Sequence, residues 1–332
     1  MDLITSTGRE NRCSVTDFVL IGFSGSPNNQ MALFVLGLLV YFFTLAGNLT
    51  IIALIQTDQC LQTPMYFLLG NLAFVEICYI STTVPKVLWD LLLGDKSISF
   101  LECLLQMYYF VTLGSTECVL LSAMAYDRYA AICQPLHYTL FMKRSICWAL
   151  LAVSWVIGNA NSIINTAIVF SLCFCQPNQI DHFFCDIPPL LHLSCSDTFN
   201  SQMVTFTVSG CVIIVPFISL IVLSYFLIVS AVLKIHSAQG RIKTFSTCAS
   251  HLTVVSIFYS TAIFTYMRPS SSHSMDQDQL ISLMYTVITP LLNPFIYSFK
   301  NKELQAACLE PGFSNSLPII LVTKQKIYLL FD

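Results

Sequence analysis

Two glutamates stand in stretches that are otherwise almost wholly apolar. Glu76 interrupts the run Gln59–Val84, and Glu117 interrupts Cys103–Tyr126. An ionisable group at mid-membrane costs about 2.5–3.5 kcal/mol on insertion scales, so each is a candidate for function. Two carboxyls facing one another in a low dielectric cannot both ionise comfortably; one keeps its proton or a cation sits between them. One reading is a sodium or proton site that biases conformation. The other is a pair of neutral acids hydrogen-bonded inside a bundle.

Asp127-Arg128 closes a long apolar run in "MAYDRYAAIC" (Met124–Cys133). An arginine alone would anchor a helix end at the interface, its head reaching water. An adjacent acid cancels that anchor's charge, so a releasable ion pair is the better account, and such a pair suits a two-state switch. Pro216 and the prolines of "TPLLNPFIY" (Thr289–Tyr297), Pro290 and Pro294, free backbone carbonyls and kink helices. Asn293 offers a polar side chain beside Pro294, although proline is common in membrane helices in any case.

Catalytic patterns are missing. His182-Phe-Phe-Cys185 is a poor zinc site, because Cys185 falls in an outer loop where thiols oxidise. His137 and His251 have no sequence-near partner of the His/Glu/His kind, and neither a phosphate loop nor a nucleophile elbow occurs. The basic segment Lys234–Lys243 is too modest for nucleic acid. The expectation is no enzyme, no resident metal or cofactor beyond a bound sodium ion, and no nucleic-acid partner.

The elements that position these groups follow from composition. Of 332 residues 55% are hydrophobic and 10% charged, against roughly 25% charged in soluble domains. Charges are absent between Asp17 and Asp58, Arg144 and Asp181, Asp197 and Lys234, Lys243 and Arg268, and Asp278 and Lys300. With the two glutamate-bearing runs, seven stretches reach the roughly 20 residues that a spanning helix needs. None alternates as a barrel strand would. The sequence predicts an all-α membrane protein, a bundle of seven transmembrane helices near 30–56, 64–86, 101–132, 146–170, 201–233, 245–267 and 279–299. A polar outer tail, 1–29, precedes it and an inner tail, 300–332, follows.

With the amino terminus outside, ten lysines and arginines lie on inner segments and five on outer ones, which favours that orientation with the carboxyl terminus inside. Lys234–Thr244 is expected as an inner loop. Ser171–Asn200, with four cysteines and "DIPPLL", is expected as an irregular outer cap. A bridge from this loop to Cys103 at the start of span three is consistent with the outer clustering of Cys103, Cys173, Cys175, Cys185 and Cys195; sequence leaves the pairing open.

Together these stretches closely resemble the olfactory receptor family of rhodopsin-like G-protein-coupled receptors. The resemblance runs through "DFVLIGFS" (Asp17–Ser24), "GNLTII" (Gly47–Ile52), "TPMYFLLGNLAFVEICYISTTVPK" (Thr63–Lys86), "MAYDRYAAICQPLHY" (Met124–Tyr138), "HFFCDIPPLLHLSC" (His182–Cys195), Ser224-Tyr225, "KTFSTCASHLTVV" (Lys243–Val255) and "PLLNPFIYSFKN" (Pro290–Asn301). It implies that Asp127 restrains Arg128 until a G protein is engaged, with Tyr129 flanking. It implies a span-seven switch of Asn293, Pro294 and Tyr297 with Tyr225 as the span-five partner, and an acidic pair in Glu76 and Glu117. It implies bridges Cys103–Cys185 and Cys175–Cys195, leaving Cys173 unassigned. The partners implied are a small odorant, an olfactory stimulatory G protein that raises cyclic AMP, and the lipid bilayer of the plasma membrane, in sensory cilia.

The ligand is expected among spans three, five, six and seven. Phe110, Val111, Gly114 and Ser115 share one face of span three. Ser209 and Ile213 on span five, with Tyr259, Ala262, Ile263 and Tyr266 on span six, would complete an apolar pocket with a few hydroxyls. Plain helix packing is the competing account of each aromatic. Two departures from the family stand out. Asn11-Arg12-Cys13 is a weak glycosylation acceptor, and after Ala307 the tail "CLEPGFSNSLPIILVTKQKIYLLFD" leaves the usual basic helical ending. Alternatives from other classes are a proton or ion transporter using Glu76 and Glu117, a receptor for a non-odorant metabolite, and a chain retained inside the cell.

Overall fold

The computed structural model describes residues 15–22, 27–234, 236–266 and 275–300. The expectations for the tail around Asn11, for the inner tail after Ala307 and for the Tyr266 side chain lie outside the described residues. Within them, seven helices are long and apolar enough to cross a membrane. They are span one, Pro27–Thr57; span two, Pro64–Leu93; span three, Phe100–Cys133; span four, Arg144–Phe170; and span five, Phe199–Leu233. Span six is Ala238–Tyr266. Span seven runs through Met275–Leu283, a π turn Met284–Ile288, and Thr289–Lys300. The all-α, seven-helix class expected from composition is the observed one.

Local chemistry sets several ends. Span two starts at Pro64, where the missing N–H costs nothing, and stops at Gly94, whose φ of 73° closes the helix in the left-handed region. Span three opens on a capping box. Ser99 Oγ accepts from the Glu102 amide at 3.3 Å, and Glu102 Oε2 accepts from the Ser99 amide at 3.0 Å. Span six starts at Ala238, so the expected loop Lys234–Thr244 is largely helical. Ser237 Oγ accepts from the Gly240 amide at 3.3 Å and caps it, and alanine, glutamine, arginine and lysine in its first turns favour helix.

Near the prolines of spans five and seven the helix widens into π turns. Span five passes through a π turn, Phe217–Val222, directly after Pro216. In span seven the Thr289 hydroxyl donates to the Met284 carbonyl at 2.9 Å, five residues back, just before Pro290.

Span three is the axis of the bundle. Of its most apolar window 67% is buried, against 22% for span five and 28% for span one. The side chains left exposed there, such as Leu36, Leu39, Phe42, Ile218 and Phe226, form the lipid-facing surface that a membrane would cover. Where spans three and four cross, there is no room for a side chain on Gly158. A Cβ there would stand 2.6 Å from the Thr112 carbonyl oxygen and 2.3 Å from Thr116 Oγ1.

One end carries a cap. Strand β1 (Asp17–Leu20) lies between β2 (Ser97–Ser99) and β3 (Gln179–Ile180), antiparallel to the first and parallel to the second. Phe18, fully buried, seats its ring 5.3 Å from that of Phe174. Disulfides Cys103–Cys185 and Cys175–Cys195 pin the cap to span three and to itself, the pairing that the resemblance implied. Cys173 Sγ lies 3.7 Å from Cys195 Sγ. The loop is more regular than expected, since Ile187–Leu193 is a short helix. Its two prolines occupy the first turn, where their lack of N–H is tolerated.

Candidate functional site

Beneath the cap lies a cavity of about 60 Å³. Phe110, Val111, Gly114 and Ser115 of span three, Ser209 and Ile213 of span five, and Ala262 of span six line it. These are seven of the ten residues singled out from sequence. Tyr259 is instead committed deeper in the bundle. Its hydroxyl donates to the Cys118 carbonyl at 2.8 Å and shares a hydrogen with Ser122 Oγ at 2.9 Å. Ile263 packs on the core without reaching the cavity wall.

The sequence reading missed Tyr79, Cys118, Asn161, Ile187, Phe258 and Tyr285, all of which line the cavity. Cys118 was legible, being one turn beyond Gly114 on the same face. Asn161 was marked by its polarity in an uncharged span. Ile187 comes from the outer loop, and no helical period points to it.

The cavity has one polar wall. Asn161 Nδ2 donates to Ser115 Oγ at 2.8 Å, and Asn165 Nδ2 donates to Asn161 Oδ1 at 2.9 Å and to Ser209 Oγ at 3.2 Å. This chain ties spans three, four and five together. Asn165 Oδ1 is buried without a hydrogen-bond partner among the described residues. The remaining walls are apolar, with rings and aliphatic side chains together; Phe110 lies 4.8 Å from Tyr79 and, behind the wall, 4.7 Å from Phe184 of the loop. Hydrogen bonds fasten the loop above as a lid. Tyr285 donates to Asp186 Oδ2 at 3.1 Å, His182 Nε2 meets Ser282 Oγ at 3.0 Å, and Gln106 Oε1 accepts from the Cys185 amide at 2.9 Å. Burial pushes the His182 imidazole down to about 3, so it is neutral in its place.

Mid-bundle, Glu76 and Glu117 are both 1% exposed and close enough to interact electrostatically. Asn293 donates to Glu76 Oε1. Glu76 Oε2 and Glu117 Oε1 have no hydrogen-bond partner among the described residues. Tyr297, close to Asn293 in sequence and fully buried, likewise has no partner for its hydroxyl among the described residues.

At the far end Arg128 Nη2 lies 3.1 Å from Asp127 Oδ2, and Tyr138 donates to Asp127 Oδ1 at 2.8 Å. Burial, then the neighbouring Asp127, push the Tyr138 hydroxyl up, so it remains a donor. Tyr129 packs on a small cluster of Ile228, Val232 and Cys248. The Tyr225 hydroxyl lies 2.7 Å from His251 Nδ1 on span six. Sequence could not pair Tyr225 with His251, because the contact depends on the facing of two separate helices.

Comparison with known proteins agrees with this arrangement. A family model described as "Olfactory receptor" matches residues 37–311. The chain is 50% identical over 323 residues to human Olfactory receptor 5A2, covering 96% of this chain and 99% of that one. It is 48% identical to rat Olfactory receptor 1f45, over 90% and 95% respectively. Squid rhodopsin shares the fold, with a TM-score of 0.68 at 18% identity over 91% of this chain and 84% of that one. Members of such a family are receptors and not enzymes. The chain is a multi-pass plasma-membrane protein that belongs to the olfactory receptor family.

Proposed function

We propose that the chain binds a small, mostly apolar odorant in the cavity beneath the cap and answers by freeing Arg128 for a stimulatory G protein, raising cyclic AMP. The observation that carries this is the pairing of a ring-lined cavity with one polar wall at one end and a buried, breakable ion pair at the other. Oxidised cysteines at the cavity end support an outward-facing cap, since disulfides persist outside the cytosol.

At about 60 Å³ the cavity is well below the roughly 300–1,000 Å³ of drug-sized sites. A ligand therefore enters only as the rings around Phe110 shift, and that displacement is the natural start of the signal. Between the two ends, the unpartnered oxygens of Glu76 and Glu117 fit a monovalent cation such as sodium. Bound there, it would supply positive charge that holds both carboxylates ionised and the helices that carry them together.

The test is cyclic AMP in cells expressing the chain with an olfactory stimulatory G protein, over a broad odorant panel. An odorant-dependent rise that vanishes in Arg128→Ala at matched surface staining is expected. A rise that survives in Arg128→Ala overturns the coupling, and no rise over the panel at good staining overturns the odorant reading.

A further inference from the structure

A second and much larger cavity, about 630 Å³, opens at the Asp127 end of the bundle, between the end of span one and the starts of spans two and four. We infer that it holds an anionic phospholipid of the phosphatidylserine kind, with the headgroup on Arg144 and an acyl chain running past Gly70. This is separate from the odorant site and independent of it.

The position favours a lipid. Phe74 and Trp148, beside the cavity, are half exposed, as side chains facing hydrocarbon are, and Phe67 of its wall stacks edge-on against Trp148 at 4.9 Å. The disulfides lie at the opposite end, so this mouth meets the cytoplasmic leaflet, which carries the anionic lipids.

The chemistry favours an anionic headgroup. Arg144 lines the cavity and is exposed. Among the described residues the ion pairs are Lys86–Asp90 and Arg128–Asp127, so Arg144 has no carboxylate there. A guanidinium at a lipid interface binds a phosphate by two parallel bonds. Gln62 and Asn71, also in the wall, give their amide nitrogens to the carbonyls of Ile55 and Phe67. Their amide oxygens are the acceptors on offer, which suits a headgroup that carries an ammonium as well as anions.

The shape has one feature to test. A Cβ on Gly70 would meet only Ile55, at 3.5 Å, an ordinary contact. A longer side chain there occupies the cavity.

The experiment is native mass spectrometry of the purified full chain, offered phosphatidylserine, phosphatidylcholine or cholesterol, with Arg144→Gln, Lys143→Gln and Gly70→Leu. Wild type is expected to retain phosphatidylserine over phosphatidylcholine by about fivefold, the scale of one basic residue at an anionic surface. Arg144→Gln and Gly70→Leu lose that preference, and Lys143→Gln, adjacent but outside the cavity, keeps it. Equal loss in Lys143→Gln would mean general surface charge and overturn the site. Equal retention of phosphatidylcholine, or preferential retention of cholesterol, would overturn it too. Arg144 is exposed, so its variant decides the question should Gly70→Leu fail to fold.

Discussion

The Tyr225 hydroxyl donates to Nδ1 of His251 at 2.7 Å. The direction is fixed by the other ring nitrogen. Nε2 lies 3.0 Å from the Leu121 carbonyl, which can only accept, so Nε2 carries the hydrogen. One neutral imidazole thus joins spans three, five and six next to Arg128. Replacing it with leucine leaves the half-buried Tyr225 hydroxyl without its acceptor, at a cost of about 1–3 kcal/mol. His251→Leu is expected to lower the thermal midpoint of the purified chain, and Tyr225→Phe to lower it less. An unchanged midpoint in His251→Leu would show that the bridge contributes nothing.

Asp127→Asn keeps the shape of the contact but removes its charge. Charge-assisted hydrogen bonds are about twice as strong as neutral ones, and a loss near 1 kcal/mol shifts a two-state balance about fivefold. Odorant-independent cyclic AMP should rise by that order at matched surface staining. A fall would show that Asp127 does not restrain Arg128.

Gly158→Ala forces a methyl against the Thr112 carbonyl oxygen, 2.6 Å away. Overpacking of this kind costs about 1–3 kcal/mol. Flow cytometry of an outer epitope should show surface display at well under the wild-type amount. Normal display would mean that spans three and four separate cheaply.

Gly114→Ala tests the odorant cavity by filling it. The added carbon sits 3.4 Å from the Tyr79 ring, which is tolerable for folding but subtracts from a small space. One methylene in such a pocket is worth about 1–3 kcal/mol, so half-maximal odorant concentration should rise about tenfold or more. An unaltered dose response, with display intact, would place the ligand elsewhere.

The lid predicts a pH dependence. His182 titrates near 6.5 when unfolded and near 3 when folded. Above 6.5 neither state binds the proton, and stability is full. As pH falls from 6.5 toward 3 the unfolded state takes up a proton that the folded state refuses, so stability is lost across that window. At pH 5.5 the loss is about 1 kcal/mol, measurable as a lower thermal midpoint than at pH 7.5. His182→Gln should flatten the difference; an equal slope in that variant would assign it to other groups.

Charge spacing made the helices legible, because lipid tolerates few alternatives to an apolar helix. Span-three cavity residues were legible for the same reason: one helical period sets one face. Tyr259 does not line the cavity, because period gives the face and not the depth, and its hydroxyl bonds the Cys118 carbonyl and Ser122 instead. Asn161 and Ile187 were missed because the facing of span four and the path of a looped cap are settled only by packing.

The small sheet has a consequence for biosynthesis. Its middle strand, Asp17–Leu20, is made before both of its partners, Ser97–Ser99 and Gln179–Ile180, which follow some 80 and 160 residues later. The first strand must therefore wait until span four and the loop beyond it have been made. The cap closes late in synthesis, and a chain halted before that loop would leave Phe18 with Phe100 but without Phe174 against its ring.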